Sequence, residues 1–191
     1  MKNIAIFASG TGSNFDALIT AIENGDLPAN VKLLVCDIKT AKVIEKAEKK
    51  GLPTLVFSAK DYASKADYEQ MIVDNLQNQG VEWVVLAGYM RLLGETLLGA
   101  YPNKIINIHP SLLPLYKGKD AVEQALAAGE KTVGVSIHYV DAGMDTGTLI
   151  AQESIHLTGR ETQSEVMQMV HHVEHHLYPK TLAKLFSEDK K

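Results

Sequence analysis

Cysteine is almost absent from this sequence: Cys36 is the only one in 191 residues. A single cysteine excludes an intramolecular disulfide and a metal site of four thiolates, which suits a reducing compartment. No apolar run approaches the roughly 18 residues that a membrane span needs. A predicted strand begins at Asn3, with no secretory segment before it. We therefore expect a cytoplasmic protein without a membrane partner.

Positive charge is not in excess either. The sequence has 19 Lys and Arg against 23 Asp and Glu, so its formal net charge is −4. A surface that neutralises nucleic-acid phosphates is usually basic, so we expect no nucleic-acid partner. A local pocket for one phosphate group is compatible with this charge. The length and the ordinary apolar content predict a single domain over residues 1–191.

Short apolar runs alternate with helix-forming segments along most of the chain, which predicts an α/β fold. The sheet is expected to be twisted, mostly parallel and of about seven strands, with helices on both faces and a Rossmann-like N-terminal half. No helix separates the last two strands, so one of them should run antiparallel. The predicted strands are 4–8, 31–37, 54–57, 84–87, 104–108, 132–140 and 149–156. The predicted helices are 15–23, 43–51, 67–79, 95–100, 120–128 and 162–176, with a shorter one after them.

A glycine-rich loop, residues 9–14, joins the first strand to the first helix. Glycines let the backbone approach an anion, and the helix start directs free N–H groups at it. The loop is not a dinucleotide fingerprint, because Phe15 stands where the third glycine belongs, and it lacks the lysine of a nucleotide P-loop. Phosphate binding is the functional interpretation. The structural interpretation is a tight turn in which Ser13 or Asn14 caps the helix, and such capping can coexist with phosphate binding.

Asn107 and His109 stand two residues apart at a strand end, so their side chains should share one face. Histidine is the usual proton carrier near neutral pH, and a neighbouring amide can donate to a developing oxyanion. Pro110 and Pro114 indicate a stiff, extended segment after them. The alternative is a structural histidine with Asn107 as a turn residue, and an isolated pair of this kind favours that alternative.

The loop 141–147 joins two strands and carries Asp141 and Asp145. Such Asp- and Gly-rich loops are common between strands, so a purely structural role is one interpretation. In the functional interpretation, one carboxylate orients and charges His109 and takes up a proton through water. His138, one strand earlier, packs or forms a hydrogen bond beneath this site.

Four histidines and a glutamate crowd the segment 171–176, and they match the His-x-x-Glu-His spacing of some zinc peptidases. His171 and His175, like His172 and His176, are i,i+4 pairs that can grip a metal. The third protein ligand of such an enzyme is not identifiable in the sequence. We therefore predict no catalytic metal.

Taken together, these motifs resemble those of the phosphoribosylglycinamide formyltransferases, folate-dependent enzymes of purine biosynthesis. The resemblance covers almost the whole chain and keeps the order of the motifs. The matching segments are residues 9–15, 87–91, 107–114, 118–121, 143–147 and 174–179. The stretch 107–114 is shared with other 10-formyltetrahydrofolate enzymes, whereas the first loop and the last segment narrow the choice to this family.

The resemblance implies the formyltransferase fold and a role for each matching residue. The catalytic residues would be Asn107, His109 and Asp145. The ribonucleotide site would comprise Gly12, Ser13, Asn14, Gly88 and Glu174, so the histidine-rich helix would bind substrate and not metal. The folate site would comprise Lys65, Met90, Arg91, Leu92, Leu93, Asn107, Val140, Asp141 and Asp145. Two positions depart from some members: Lys65 stands in place of arginine, and Lys117 in place of proline.

The implied reaction transfers a formyl group from the co-substrate 10-formyltetrahydrofolate to the amine of 5'-phosphoribosylglycinamide, without a metal. Residues 1–100 would mainly bind the ribonucleotide phosphate, and residues 101–191 the folate and the reacting groups. The partners would be these small molecules, and the protein would be a monomer or a homodimer.

Other interpretations of the same motifs lead to different activities. A methionyl-tRNA formyltransferase would need a further C-terminal domain, and a formyltetrahydrofolate hydrolase an N-terminal regulatory one. A sugar-nucleotide formyltransferase is harder to exclude from the residues alone. A non-catalytic nucleotide-binding module would use only the 9–14 loop and leave Asn107, His109 and Asp145 unexplained.

Overall fold

The computed structural model describes residues 1–189 and forms the expected alternation of strands and helices. The strands are β1 Lys2–Ala8, β2 Ala29–Cys36, β3 Thr54–Val56, β4 Trp83–Leu86, β5 Ile105–His109, β6 Thr132–Tyr139 and β7 Leu149–His156. The helices are α1 Ser13–Glu23, α2 Lys42–Lys49, α3 Lys65–Asn78, α4 Glu95–Ala100, α5 Ala121–Ala127 and α6 Gln163–Glu188, with a 3-10 turn at Ala59–Asp61. Within residues 1–189, no helix has both the length and the apolar character needed to cross a membrane.

All seven strands belong to one sheet in the order β3-β2-β1-β4-β5-β6-β7. The first five strands pair in parallel, and β6 runs antiparallel to both β5 and β7. The prediction of a mostly parallel sheet of about seven strands with one antiparallel member is therefore confirmed. Because β1, β4 and β5 are parallel neighbours, the loops that follow them emerge at the same edge of the sheet.

The sheet is covered on both faces, which explains why its central strands are apolar throughout. Alternation along β1 sends Ile4 and Ile6 into one core and Ala5 and Phe7 into the other. The first core also contains buried side chains of α1, α2, α5 and α6. The second contains those of α3 and α4. Helices on both faces were expected from the sequence, and this prediction is confirmed.

The C-terminal helix differs from the prediction. A helix over 162–176 followed by a separate shorter one was expected, but α6 continues without interruption through Pro179. A proline inside a helix removes one backbone hydrogen bond and costs about 3 kcal/mol. Here the residues around it, Tyr178, Leu182 and Phe186, are at most 4% exposed. Burying three such side chains contributes roughly 1.5–3 kcal/mol each, which offsets the proline.

Tyr178 fastens α6 to the sheet. Its hydroxyl lies 2.7 Å from the carbonyl oxygen of Leu86 and 3.2 Å from that of Ile106, and the side chain is fully buried. Leu86 is the last residue of β4, and Ile106 lies directly before Asn107 in β5. The helix is thus anchored to the two strands at the point where they approach their carboxyl ends.

Candidate active site

Asn107 and His109 lie on one face of β5 at its carboxyl end, as strand alternation predicts. Asn107 is half-buried, and His109 is only 6% exposed. The neighbouring strand β4 pairs with β5 so that Leu86 lies beside Asn107. The amide and the imidazole therefore stand together at the sheet edge where ligands bind in open α/β folds.

Asp145 reaches this pair from the loop between β6 and β7. Its Oδ2 lies 3.4 Å from Nδ1 of His109 and accepts a hydrogen bond of 2.8 Å from the backbone N–H of Gly118. Its Oδ1 lies 3.6 Å from Nε2 of His138. Burial opposes ionisation of this carboxyl, but the two histidines and the Gly118 amide outweigh it and hold the pKa of Asp145 below its usual value. Asp145 is therefore a carboxylate that faces His109.

Both ring nitrogens of His109 face hydrogen-bond acceptors. Nε2 lies 2.8 Å from the carbonyl oxygen of Tyr116, and Nδ1 faces the Asp145 carboxylate. The imidazole is thus held between a carbonyl oxygen and a carboxylate, which fixes the orientation of the ring.

His138 orients the amide of Asn107, a contact that the predicted site residues did not include. Nδ1 of His138 lies 2.8 Å from the carbonyl oxygen of Tyr139, so this nitrogen carries the hydrogen. Nε2 lies 3.2 Å from Nδ2 of Asn107 and 3.6 Å from Oδ1 of Asp145, so the ring stands between the amide and the carboxylate. The two residues meet because Asn107 lies directly opposite His138 in the antiparallel pair of β5 and β6. Predicting this contact requires the register of the two strands, which predicted strand boundaries do not give.

The glycine-rich loop ends at Gly12, and α1 begins at Ser13 with no side chain of residues 1–189 capping it. The interpretation in which Ser13 or Asn14 caps the helix is therefore wrong. Gly12 has a φ of 81°, and a Cβ placed on it would lie 2.7 Å from Cγ2 of Val43. Only glycine fits this conformation and this close approach. The uncapped N–H groups at the start of α1 remain available to an anion.

Asn14 and Glu174 form a buried polar pair beside this loop. Nδ2 of Asn14 donates to Oε2 of Glu174 at 2.8 Å, and both residues are under 9% exposed. Burial raises the pKa of Glu174, although the Asn14 hydrogen bond and the nearby His171 oppose the shift. Within residues 1–189, the buried side-chain polar atoms without a partner are Oδ1 of Asn14 and Nε2 of His175. Such atoms are normally paired, so the unpaired Oδ1 of Asn14, beside the glycine-rich loop, is available to a ligand.

The segment after β4, residues 88–93, forms a partly apolar wall next to Asn107. Gly88 has a φ of 82° and accepts a hydrogen bond of 3.0 Å from the backbone N–H of Ser9, which links the wall to the glycine-rich loop. Met90 is 72% exposed and Leu92 46%, whereas Leu93 is buried. Exposed apolar side chains in a row are available to pack against a ligand.

Three further predicted folate residues differ in what they contact. Lys65 donates from Nζ to the carbonyl oxygen of Leu92 at 2.9 Å, so its ammonium holds the wall itself. Val140 packs against the core that contains Leu93. Asp141 is turned into its own loop, where the hydrogen bond from Thr146 lowers its pKa below the usual value. Arg91 forms an ion pair with Asp37 at 2.9 Å.

The histidine-rich part of α6 does not form a metal centre. The rings of His171 and His175 stack with their centroids 6.1 Å apart. Throughout the described range 1–189, no group of three or more His, Cys, Asp or Glu side chains is arranged to hold a metal ion. Glu174, which completes the zinc-like spacing, faces Asn14.

Comparison with known proteins decides the family. A protein-family model described as "Formyl transferase" matches residues 2–182 of this chain. This chain belongs to the formyl transferase family. It is 50% identical over 185 residues to the phosphoribosylglycinamide formyltransferase of Bacillus subtilis, covering 97% of this chain and 95% of that one. It is also 38% identical to the trifunctional purine biosynthetic protein adenosine-3 of Drosophila melanogaster, but spans only 14% of that longer protein.

Solved structures of the same family share the whole fold. The phosphoribosylglycinamide formyltransferase of Bacillus halodurans superimposes with a TM-score of 0.96 at 48% identity, covering 99% of this chain and 97% of that one. Glycinamide ribonucleotide transformylase 1 of Geobacillus kaustophilus gives a TM-score of 0.94 at 53% identity, covering 97% and 98%. The formyltransferase fold expected from the sequence is thereby confirmed.

Proposed function

We propose that this chain transfers a formyl group from N10 of 10-formyltetrahydrofolate to the amine of 5'-phosphoribosylglycinamide. The observation that carries the proposal is the meeting of Asn107, His109 and Asp145 at the same sheet edge as the uncapped start of α1. This is the edge at which a formyl group and a phosphate-bearing acceptor have to meet. The relatives named above carry this activity in their names.

The ribonucleotide is assigned to the groove between the glycine-rich loop and α6. Backbone N–H groups of Gly12, Ser13 and Asn14 would bind the phosphate, because the helix start carries a positive dipole and free donors. Asn14 Oδ1 lacks a partner and Glu174 is buried beside it. These acceptors suit the ribose hydroxyls. Gly88, bonded to the loop through Ser9, would complete this side of the site.

The folate is assigned to the opposite wall. The pterin would pack against Met90, Arg91, Leu92 and Leu93, with Lys65 bracing the wall through the Leu92 carbonyl oxygen. Its hydrogen-bonding edge would face Asn107 and the backbone from Val140 and Asp141 to Asp145. The N10 formyl group would then lie near Asn107 and His109. No metal is needed for this arrangement.

The reaction would begin with attack of the substrate amine on the formyl carbon. The new C–N bond produces a tetrahedral intermediate with a negative oxygen and a positive nitrogen. Asn107, whose amide is oriented by His138, and the His109 cation would stabilise that oxygen. The oxygen would take the place that the Tyr116 carbonyl now holds on Nε2 of His109. Loss of one such donor costs roughly 3–4 kcal/mol in the barrier.

Collapse of the intermediate breaks the bond between the formyl carbon and N10. The proton lost by the amine has to reach N10, and Asp145 would pass it on through water while its charge supports His109. Holding both substrates at one edge supplies much of the remaining acceleration. The products are formylated ribonucleotide and tetrahydrofolate, and no covalent enzyme intermediate forms.

The other expectations from the sequence belong to this proposal. Residues 1–100 would supply most of the ribonucleotide phosphate site, and residues 101–191 the folate and catalytic groups. The protein would act in the cytoplasm as a monomer or a homodimer, which sedimentation at two protein concentrations would distinguish.

The activity is tested by mixing the protein with both substrates and following loss of the formyl folate by absorbance. Turnover should require 5'-phosphoribosylglycinamide and should be absent with the His109→Ala variant. An amino-sugar nucleotide in place of the ribonucleotide tests the sugar-nucleotide alternative. Turnover with the amino sugar alone, or folate deformylation without any acceptor, would contradict the proposal.

A further inference from the structure

A buried carboxylate outside the predicted site connects its two substrate-binding segments. Asp37 directly follows β2 and is 5% exposed. Its Oδ1 accepts a hydrogen bond of 2.5 Å from Oγ of Ser9, in the glycine-rich loop. Its Oδ2 lies 2.9 Å from Nε of Arg91, in the proposed folate wall. Each carboxylate oxygen thus holds a different segment.

Ser9 extends this connection to the main chain of the wall. While its hydroxyl donates to Asp37, the same oxygen accepts a hydrogen bond of 3.0 Å from the backbone N–H of Met90. The backbone N–H of Ser9 donates to the carbonyl oxygen of Gly88. The wall is therefore attached at two points of its main chain and, through Arg91, at a side chain.

Arg91 is held in a defined orientation by these contacts. Its guanidinium carbon lies 5.9 Å from the ring centroid of Tyr68, and its side chain is 36% exposed. A buried carboxylate on one side and an aromatic ring on the other restrict the rotamers of a side chain that is otherwise flexible. A wall fixed in this way does not have to be ordered when the ligand binds, which favours affinity.

The position of Asp37 invites a different interpretation, which its contacts exclude. In dinucleotide-binding folds of this topology, an acidic residue after the second strand binds a ribose hydroxyl. Here both oxygens are engaged by Ser9 and Arg91, and the side chain is almost inaccessible. The carboxylate therefore acts inside the protein and has no free edge for a ribose.

We propose that Asp37 is a positioning residue for formyl-folate binding, which pre-forms the wall by holding Arg91 and, through Ser9, the main chain at Met90. This inference rests on the proposed function, because it takes the 88–93 wall to be the folate site. It adds a residue that contacts neither substrate and predicts an effect on folate affinity with little effect on the chemical step.

The test compares Asp37→Asn with Asp61→Asn, the same change at an exposed carboxylate that pairs with Lys39 at 3.4 Å. Tetrahydrofolate and ribose 5-phosphate serve as separate calorimetric probes of the two sites. Asp37→Asn should weaken tetrahydrofolate binding at least fivefold and raise the KM for formyl folate similarly. It should change ribose 5-phosphate affinity and kcat less than twofold, because the asparagine oxygen can still accept the Ser9 hydrogen bond in the glycine-rich loop. Asp61→Asn should change none of these quantities.

A double-mutant cycle shows whether Asp37 acts through Arg91. In the Arg91→Gln background, Asp37→Asn should add less than a twofold loss of tetrahydrofolate affinity, because the partner is already gone. Full additivity of the two losses would overturn the proposed route, and so would an unchanged tetrahydrofolate affinity in a folded Asp37→Asn protein.

Two controls keep the outcome decisive. If Asp37→Asn does not fold, Ser9→Ala is tested in its place, because it removes the Met90 contact without changing the charge. Unchanged tetrahydrofolate affinity in Ser9→Ala would overturn the proposal. Failure of the proposed function would look different. In that case the unmodified protein itself would neither bind tetrahydrofolate nor transfer the formyl group.

Discussion

Oδ2 of Asp145 lies 3.4 Å from Nδ1 of His109, and the same oxygen accepts the backbone N–H of Gly118 at 2.8 Å. One carboxylate oxygen thus serves the histidine at the end of β5 and the segment that covers it. Asp145 itself has a φ of 53°, a conformation that non-glycine residues adopt rarely. Backbone strain at a residue that faces a buried histidine is typical of a functional position.

Replacing Asp145 with asparagine should separate its charge from its structural contact. The asparagine side chain is isosteric and can still accept from Gly118, but Asp145→Asn removes the negative charge that faces His109. We expect kcat to fall by about 10²–10⁴, the usual contribution of a positioned acid or base. Tetrahydrofolate affinity should change less than about twofold. Steady-state kinetics and calorimetry measure both, and full turnover would remove Asp145 from the mechanism.

Gly12→Ala should destabilise the fold and weaken phosphate binding together. The substitution forces a side chain into a left-handed conformation and against Val43. The strain should lower the free energy of unfolding by about 1–3 kcal/mol, measured in urea. Gly10→Ala is the matched control, because a Cβ there meets no atom within 4 Å. Equal losses in the two variants would show that the Gly12 conformation is not the cause.

Glu174→Gln should change stability in a pH-dependent manner. Burial raises the pKa of Glu174, so the folded state binds this proton more tightly than the unfolded state does. The stability from that protonated form is complete below the unfolded pKa, about 4.3, and is lost as pH rises through the folded pKa. The variant should therefore gain most in Tm, relative to the unmodified protein, at pH 8 and least at pH 4. An equal gain at both pH values would contradict a raised pKa.

The Glu174→Gln variant should also bind the ribonucleotide more weakly, although it gains stability. Glutamine cannot offer a carboxylate to the ribonucleotide, so ribose 5-phosphate should bind at least about tenfold more weakly, as expected for a lost charge-assisted hydrogen bond. Tetrahydrofolate binding reports on the opposite wall and should not change. Unaltered ribose 5-phosphate affinity would remove Glu174 from the proposed site.

Asp189→Asn should detach the end of the chain from the sheet. Oδ2 of Asp189 accepts from Nε1 of Trp83 at 2.9 Å and from Nζ of Lys104 at 2.7 Å. The Lys104 hydrogen bond is the main cause of the low pKa of Asp189, about 2. The stability from this depressed pKa is present above the unfolded value, about 3.9, and is lost as pH falls towards 2.

Fluorescence follows this contact directly, because Trp83 is the only tryptophan of the chain. The unmodified protein should lose stability between about pH 4 and pH 2 more steeply than Asp189→Asn does. The variant should be less stable at pH 7. Glu188→Gln, the same kind of change one residue earlier, is the control. Parallel pH profiles for the unmodified protein and Asp189→Asn would contradict the assigned role.

Local sequence signals were sufficient for the fold and for the positions of the main motifs. Apolar runs such as Ile4–Ala8 and the glycine-rich loop give strands and turns from neighbouring residues alone. The prediction failed at Pro179, where a local rule ends a helix but burial of Tyr178, Leu182 and Phe186 continues it. The sequence also left open whether a side chain caps α1, because the clash that selects Gly12 comes from the distant residue Val43.

The contacts within the site depend on strand register, which the sequence does not specify by itself. His138 meets Asn107 only because β6 runs antiparallel to β5 in one particular alignment. Asp37 was not singled out, since nothing near it in the sequence shows that Ser9 and Arg91 converge on it. Motif order and family resemblance identify the candidate reacting groups, whereas the residues that orient them emerge from tertiary structure.

The hydroxyl of Tyr178 has a consequence for how the two substrates meet. It donates to the carbonyl oxygens of Leu86 and Ile106. These contacts join the helix that carries Glu174 to two strands, of which one leads to the 88–93 wall and the other contains Asn107. In the proposed site, the spacing between acceptor and donor is then a property of the scaffold, set before either molecule arrives.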